Sequence, residues 1–250
     1  MGENILALAL ISIAALVQGY SGFGFGIVAM ALLVLSGLPL ESGALMATFV
    51  GVAVIATLLW LSWSNGPIHW RGVGLLLIGA LIGLPIGYWF LSRFGAGPAP
   101  QLVLGTLLIL FAIYGLFRRR GTVRLPQTAA IPLGMLSGFV GGAFISGGPP
   151  AVVYLSGQAD DPRIMKPSIQ MILLIILFMR IAFAATLGDL DDTDLWMHTA
   201  LTIPAALIAL WLGHQLSRIG SAGFHRMMAQ IALGLFGLLL IGLTLQRGFA

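Results

Sequence analysis

Two glycine-rich breaks interrupt otherwise apolar sequence, the first at 19–26 (GYSGFGFG) and the second at 138–150 (GFVGGAFISGGPP). Hydrophobic residues make up 59% of the chain and charged residues 8%, so both breaks fall where the backbone has no water to bind. Because an unpaired N–H or C=O is costly in hydrocarbon, non-helical backbone persists there only when it is buried in protein or lines a cavity. Two such breaks in corresponding positions are typical of the central binding site of a transporter.

The composition predicts an all-α integral membrane protein without a separate soluble domain. A chain of 250 residues with 8% charged side chains is too apolar for a soluble fold. The absence of cysteine excludes disulfides and thiolate metal sites, and we predict neither a metal nor another cofactor. Segment 4–20 lacks a basic n-region, and we read it as a retained first segment rather than a removable signal. Ten apolar segments are predicted, at 4–20, 25–38, 43–63, 72–91, 99–117, 128–145, 149–157, 168–187, 195–216 and 224–245.

Two of these segments, 25–38 and 149–157, are too short to cross a bilayer untilted at a rise of about 1.5 Å per residue. Each begins at the end of a glycine break, so we predict broken or re-entrant helices at both places. Their length leaves open whether they cross fully or turn back.

The second half of the chain repeats the first. The offset between matching motifs stays between 119 and 126 residues along the chain, which chance similarity of apolar sequence does not explain. We therefore predict two transmembrane repeats of about five segments each, 1–125 and 126–250, that together form one membrane domain. The matching stretches are 80–87 (ALIGLPIG) with 206–213 (ALIALWLG), 91–95 (LSRFG) with 216–220 (LSRIG), Ser36-Gly37 with Ser156-Gly157, and Gly19 and Gly22 with Gly138 and Gly141.

The basic residues predict how the chain is oriented. With five segments in each half, nine Lys or Arg side chains fall on one side of the membrane and two on the other, which is a positive-inside signal. An odd number of segments per half also makes the two repeats inverted. We expect a multi-pass protein of the bacterial inner membrane, with the linker from Arg118 to Arg124 in the cytoplasm and both termini outside. Because the basic residues sit in short loops between spans, no nucleic-acid partner is expected.

The SGGPP sequence in the second break cannot continue the preceding helix. Pro149 and Pro150 lack N–H donors, while Gly147 and Gly148 permit dihedral angles that other residues avoid. Ser146 precedes the prolines as a candidate helix cap. We predict that a half-helix starts here, with its free N–H groups and the positive end of its dipole facing a cavity where an anion binds.

The first break is predicted to supply the opposing wall of the site through Ser21, Gly22 and Gly24. Other glycines have a different interpretation, because glycines spaced four apart let two membrane helices approach closely. We expect close packing at two such triplets, which are Gly79, Gly83, Gly87 and Gly134, Gly138, Gly142.

Arg180 lies about twelve residues into its apolar segment, between Met179 and Ile181. A mid-membrane arginine costs at least about 2.5 kcal/mol, faces the bundle interior and marks a substrate pathway by default. All eight acidic residues are in loops or at segment edges, so no acidic partner within a span is evident and an anionic substrate is the natural complement. The alternative is an arginine bonded to backbone carbonyls at a helix break.

At these motifs the chain resembles the TauE/SafE family of membrane transporters, often described as sulfite exporters. The resemblance rests on 18–26 (QGYSGFGFG), on 141–155 (GGAFISGGPPAVVYL) and on the internal duplication. It implies a secondary transporter, not an enzyme, for small anions such as sulfite, sulfoacetate, or related organosulfonates and carboxylates. The predicted partners are that anion and the lipid bilayer, and the exposed glycine faces leave a homodimer open.

Two alternative functions stay open at this point. Gly19-Tyr-Ser-Gly22 has the Gly-x-Ser-Gly form of an intramembrane serine hydrolase, although no histidine lies in the middle of a span. A membrane assembly subunit that transports nothing is the second alternative. The Asp189–Asp194 run is read as a solvated turn that caps helices rather than as a cation loop.

Overall fold

Helices make up nearly all of the computed structural model, which describes residues 2–21, 24–37, 40–63, 66–95, 97–117, 125–158, 161–191, 193–218 and 222–248. These residues form ten α-helices and one short 3-10 turn, with no strand among them. The 3-10 turn at Gln127–Ala129 leads into α6. The helices are α1 Gly2–Ser21, α2 Phe25–Ser36, α3 Leu40–Trp63, α4 Trp70–Phe94, α5 Pro98–Phe117, α6 Ala130–Phe144, α7 Gly148–Gln158, α8 Pro162–Leu187, α9 Thr193–Leu216 and α10 Ala222–Gly248.

The predicted all-α membrane class is confirmed. Within the described residues, five helices are long and apolar enough to cross a membrane: α3, α4, α5, α8 and α9. By contrast, α2 has 12 residues and α7 has 11. At about 1.5 Å per residue neither spans the hydrocarbon core of about 30 Å, so the helices beside both glycine breaks are short, as predicted.

The chain forms two compact units, and each draws on both halves of the sequence. Unit 1 comprises Met1–Val50, Leu91–Arg118 and Thr193–Ala250. Unit 2 comprises Gly51–Phe90 and Arg119–Asp192. This division differs from the sequence repeats 1–125 and 126–250, which stay a prediction.

Glycines hold α4 and α6 together in unit 2. A Cβ atom on Gly83 would overlap the backbone carbonyl of Met135, and one on Gly138 would lie 2.6 Å from the Cα atom of Ala80. The remaining members of both triplets also face backbone atoms of the other helix, so the predicted close packing is confirmed. The numbers of the contacting residues increase together along both helices, since Leu76 lies beside Gly134 and Leu84 lies beside Gly142. The two helices therefore run parallel.

Unit 1 contains the same kind of contact between α1 and α9. Gly19 lies against the backbone of Leu210, and Gly213 lies against the backbone of Leu16. Gly19 and Gly138 are repeat-matched residues, so α1 against α9 corresponds to α6 against α4. In each pair one helix comes from the first half of the sequence and the other from the second. In both pairs glycine lets the backbones of the two helices approach closely.

The α6 and α7 helices form a re-entrant hairpin. After α6 ends, the chain turns back so that the Ser137 hydroxyl donates a hydrogen bond to the carbonyl of Gly147. Further along, Leu155 lies near Gly72 at the start of α4, and the Gln158 side chain donates to the carbonyl of Leu125 at 2.7 Å. Leu125 precedes α6, so the hairpin enters and leaves at the same end of unit 2.

That end of unit 2 carries exposed basic side chains. Arg71 at the start of α4 donates to Gln127 at 3.0 Å, and Arg163 and Lys166 lie at the start of α8. The opposite end holds the turn after α8, with exposed Asp189 and Asp191. The orientation of this unit in the membrane stays a prediction, and the linker from Arg118 to Arg124 lies outside the described residues.

Candidate functional site

The second glycine break is a tight, buried turn between α6 and α7. The Ile145 N–H donates to the carbonyl of Gly141 at 3.1 Å, and the Ser146 N–H donates to that of Val140 at 3.4 Å. The left-handed residue of the turn is Ile145, with φ 60°, rather than one of the glycines. Gly147 and Gly148 do not adopt a positive φ. The need for glycine arises at Gly147, where a side chain would not fit.

Gly147 is enclosed by α6 and α8. A Cβ atom at this position would lie 2.7 Å from the carbonyl oxygen of Ser137 and 2.9 Å from the Cδ1 atom of Ile176. The Ser137 hydroxyl also bonds the Gly147 carbonyl, which fixes the returning chain against α6. Substitution of this glycine must therefore push α6 or α8 away.

The break lies beside the middle part of α4, a helix long enough to cross a membrane. Gly138, next to Ser137, packs on Ala80, which is ten residues beyond the first residue of α4. Ten residues of helix correspond to about 15 Å, half of the hydrocarbon thickness of about 30 Å. Gly147 bonds Ser137 and therefore lies at the same level along α4.

The predicted half-helix is confirmed, because α7 begins at Gly148 with Pro149 and Pro150 in its first turn. The prolines reduce the donors available there, since the first N–H groups of a helix have no partner within it and proline has none to offer. Gly147 and Gly148 supply the remaining amides. Pro149 can contribute only its half-buried ring.

Arg180 is 1% exposed and lies in the interior of unit 2, as predicted. It follows Ile176 by four residues on α8, which places it on the same helix face about 6 Å further along the axis. Ile176 contacts Gly147, and Leu173 contacts Gly148 one turn earlier. One face of α8 therefore carries both the wall of the break and the buried guanidinium.

Arg180 is linked through an aromatic ring to an acidic residue of the turn after α8, a connection that the sequence did not indicate. Its guanidinium carbon lies 4.8 Å from the centre of the Tyr88 ring, within the range of a cation–π contact. The Tyr88 hydroxyl donates to Oδ2 of Asp189 at 2.5 Å, which links the ring to an exposed carboxylate. The guanidinium lies against an aromatic ring whose hydroxyl is bonded to a turn carboxylate. The alternative of bonds to backbone carbonyls at a helix break stays open.

The first break, in unit 1, has a different arrangement. Gly24 has φ 98° and precedes the first residue of α2. The buried side-chain carbonyl of Gln18 accepts the Phe25 N–H at 2.7 Å, and so satisfies one amide at the start of α2. The Ser21 hydroxyl donates to the carbonyl of Val17 at 2.7 Å. Gly22 lies outside the described residues.

Gln18 and Ser137 were both missed by the sequence analysis. They occupy matching positions of the two predicted repeats, immediately before Gly19 and Gly138, and each bonds a backbone group within the break that follows it. Their polar character in apolar sequence next to a glycine was the available signal. The bonds differ in sense, because Gln18 accepts from an amide whereas Ser137 donates to a carbonyl.

Among the described residues, no group of three or more His, Asp or Glu side chains could hold a metal ion. His69 lies near the start of α4, where its Nδ1 atom accepts the Gly72 N–H at 3.1 Å.

The comparison with known proteins agrees with this architecture. A model of the family described as Sulfite exporter TauE/SafE matches residues 6–240. The chain belongs to this family. A relative from Cupriavidus necator, named "Probable sulfite/organosulfonate exporter TauE", is 26% identical over 211 residues, which cover 83% of this chain and 81% of the relative.

Membership of the Sulfite exporter TauE/SafE family confirms the resemblance that the glycine motifs indicated, and it identifies the chain as a membrane transporter rather than an enzyme. The matched region includes both glycine breaks and Arg180. The residues that bind the transported solute stay a prediction.

Proposed function

We propose that this TauE/SafE protein is a secondary transporter that exports small anions such as sulfite, sulfoacetate or a related organosulfonate. The observation that carries the proposal is the position of Arg180, a fully buried cation on the helix face that also walls the α6–α7 break. The name of the Cupriavidus necator relative supports the same substrate class.

An anion suits this site for two physical reasons. A guanidinium presents five N–H donors in a rigid fork, a geometry that matches planar or tetrahedral oxyanions. The amides of Gly147 and Gly148 lie at the positive end of the α7 dipole, where a negative charge is favoured. Apolar Ile176 and Leu173 complete the wall and keep the surroundings poor in competing polar groups. Such surroundings strengthen each electrostatic contact.

The proposed direction is outward. We place the basic end of unit 2, with Arg71, Arg163 and Lys166, on the cytoplasmic side of the inner membrane by the positive-inside rule. A monovalent anion that leaves a cell with negative interior then releases about 2.3 kcal/mol per 100 mV. This gradient suffices to drive export without a proton relay.

Alternating access completes the proposal. In inverted-repeat transporters the substrate lies between corresponding broken helices, and the repeats rock around it. The proposal assigns a corresponding binding role to Ser21, Gly22 and Gly24 of the first break. The Gln18 bond to the start of α2 already occupies one amide of the first break, so Arg180 and the second break are assigned most of the binding.

Efflux of radiolabelled sulfite from preloaded proteoliposomes tests the role of Arg180. Loss of a charge-assisted hydrogen bond costs about 1.5–3 kcal/mol, so Arg180→Ala is expected to reduce efflux about tenfold or more. Arg180→Lys, which retains the charge without the fork, should recover part of the rate. Arg163→Ala is the matched control, since Arg163 is an exposed arginine on the same helix.

The purified variants are first compared by gel filtration and thermal unfolding, so that reduced efflux is not confused with loss of fold. Equal efflux in folded Arg180→Ala and wild-type protein would remove Arg180 from the mechanism. Absence of sulfite and sulfoacetate efflux from wild-type proteoliposomes would refute the proposed substrate class.

A further inference from the structure

Tyr88 is held in a fixed orientation by three helices of unit 2. It is 5% exposed, and its ring meets Phe183 of α8 edge-on, with centroids 5.3 Å apart at 74°. Its backbone nitrogen lies 2.9 Å from where a Cβ atom on Gly142 of α6 would be. Burial and the Phe183 contact hold the ring against α8, where it faces the Arg180 guanidinium.

The Tyr88 hydroxyl connects the buried guanidinium to an exposed carboxylate. Asp189 lies in the turn after α8 and accepts the hydroxyl proton in a short bond of 2.5 Å. The backbone of this turn is fixed by Gly188, with φ 79°, whose N–H donates to Ala185 while the Asp189 N–H donates to Ala184. This pattern is a Schellman cap, which orders the end of a helix.

We infer that Tyr88 and Asp189 set the anion affinity of Arg180: the Tyr88 ring positions the guanidinium, and the Asp189 carboxylate is a built-in counter-anion against which the transported anion must compete. This inference rests on the proposed function. The hydrogen bond to a carboxylate increases electron density on the phenol ring, which strengthens the attraction of the ring face for the cation. Tyr88 thus couples the carboxylate to the guanidinium.

The arrangement suits a carrier, which must release what it binds. A site that conducts ions has to bind favourably enough for entry and weakly enough for exit. A buried arginine facing only amide donors would hold an oxyanion tightly. A fixed negative charge beyond the Tyr88 ring lowers that affinity without obstructing the α6–α7 break.

The dependence of sulfite efflux on internal sulfite concentration tests the inference. At an effective dielectric constant of about 20, discounted for the exposure of Asp189, loss of the carboxylate charge is expected to lower KM about fivefold. Asp189→Asn makes this change with little change in shape. Asp191→Asn is the matched control, because Asp191 is an exposed aspartate in the same turn and should leave KM unchanged.

Two substitutions of Tyr88 separate the ring from the hydroxyl. Tyr88→Phe keeps the ring and releases Asp189, so KM should fall, though less than in Asp189→Asn. Tyr88→Leu removes the ring, leaves Arg180 poorly positioned and should raise KM. A merely structural role would lower the maximal rate of all variants without moving KM in opposite directions.

The outcomes distinguish this inference from the function on which it rests. A KM for Asp189→Asn equal to or above the wild-type value, with wild-type efflux intact, overturns the inference alone. If Asp189→Asn does not fold, an unchanged or raised KM for Tyr88→Phe has the same consequence. No sulfite efflux by wild type overturns the proposed function, and the inference with it.

Discussion

The contact between α4 and α6 predicts opposite effects for two glycine-to-alanine substitutions in one helix pair. In Gly138→Ala the new Cβ atom would lie 2.6 Å from the Cα atom of Ala80, whereas two carbon atoms prefer about 3.5 Å or more. The helices must therefore separate locally by about 1 Å. The clash is with backbone, so no side-chain rotation relieves it. Overpacking of this kind costs about 3 kcal/mol at the upper end of its range.

Alanine also favours helix over glycine by up to about 1 kcal/mol, which leaves a net loss of about 2 kcal/mol for Gly138→Ala. For a chain of 250 residues this corresponds to a Tm lower by about 4–8 °C. Gly74→Ala on α4 is the control, because nothing lies within 4 Å of its Cβ position. There the helix preference acts alone, and Tm should rise by about 2–4 °C at most.

Tryptophan fluorescence of the detergent-solubilised protein during heating measures both effects. The chain has six tryptophans and no cysteine, so the intrinsic signal is used instead of a thiol-reactive dye. A Gly138→Ala protein that melts at or above the wild-type temperature would refute the close-packing argument. A loss of stability in Gly74→Ala as large as that in Gly138→Ala would show that any alanine in these helices is harmful, and would refute it as well.

Three further predictions concern the breaks and the α8 turn. Gln18→Leu leaves the buried Phe25 N–H without its acceptor, so unfolding should cost about 1–3 kcal/mol less, as seen in a lower Tm and in faster amide exchange at the start of α2. Gly188→Ala forces a Cβ into the left-handed region at φ 79°, with an expected loss of about 1–2 kcal/mol. Gly242→Ala is the control and should raise Tm slightly, because Gly242 lies inside α10 with open space at its Cβ position. A serine-reactive fluorophosphonate should not label Ser21, whose hydroxyl donates to the preceding helical turn, and labelling would favour the hydrolase alternative.

Helix positions were largely predictable from hydropathy, because a spanning segment must be both apolar and long enough for the bilayer. The clearest difference is at α8, predicted from 168 and observed from Pro162. The Asp161 side chain accepts the Arg163 N–H at 2.9 Å, and Pro162 occupies the first turn. A cap and a proline extend the helix through polar residues outside the hydrocarbon, where hydropathy carries no signal.

Helix pairing was not predictable by the same means. Hydropathy gives the length of an apolar segment but not its neighbour, so the hairpin of α6 and α7 and the pairing of α1 with α9 emerged only from the structure. The same holds at the site. Burial of Arg180 follows from its place in the segment, whereas its neighbour Tyr88 is bonded to Asp189 across 101 residues of chain. A turn aspartate gives no local sign of that contact.

The exchange of helices between the two halves has a consequence for biosynthesis. When α1 enters the bilayer, the helix that packs on its Gly19 has not yet been made, since α9 begins only at Thr193. Likewise, α4 is synthesised before its partner α6, which follows the linker in the sequence. Each half is thus an obligate partner of the other, and insertion of the nascent chain must run far ahead of tertiary assembly. On a ribosome stalled before Thr193, α1 of the nascent chain would contact lipid or a chaperone at the position that α9 later occupies.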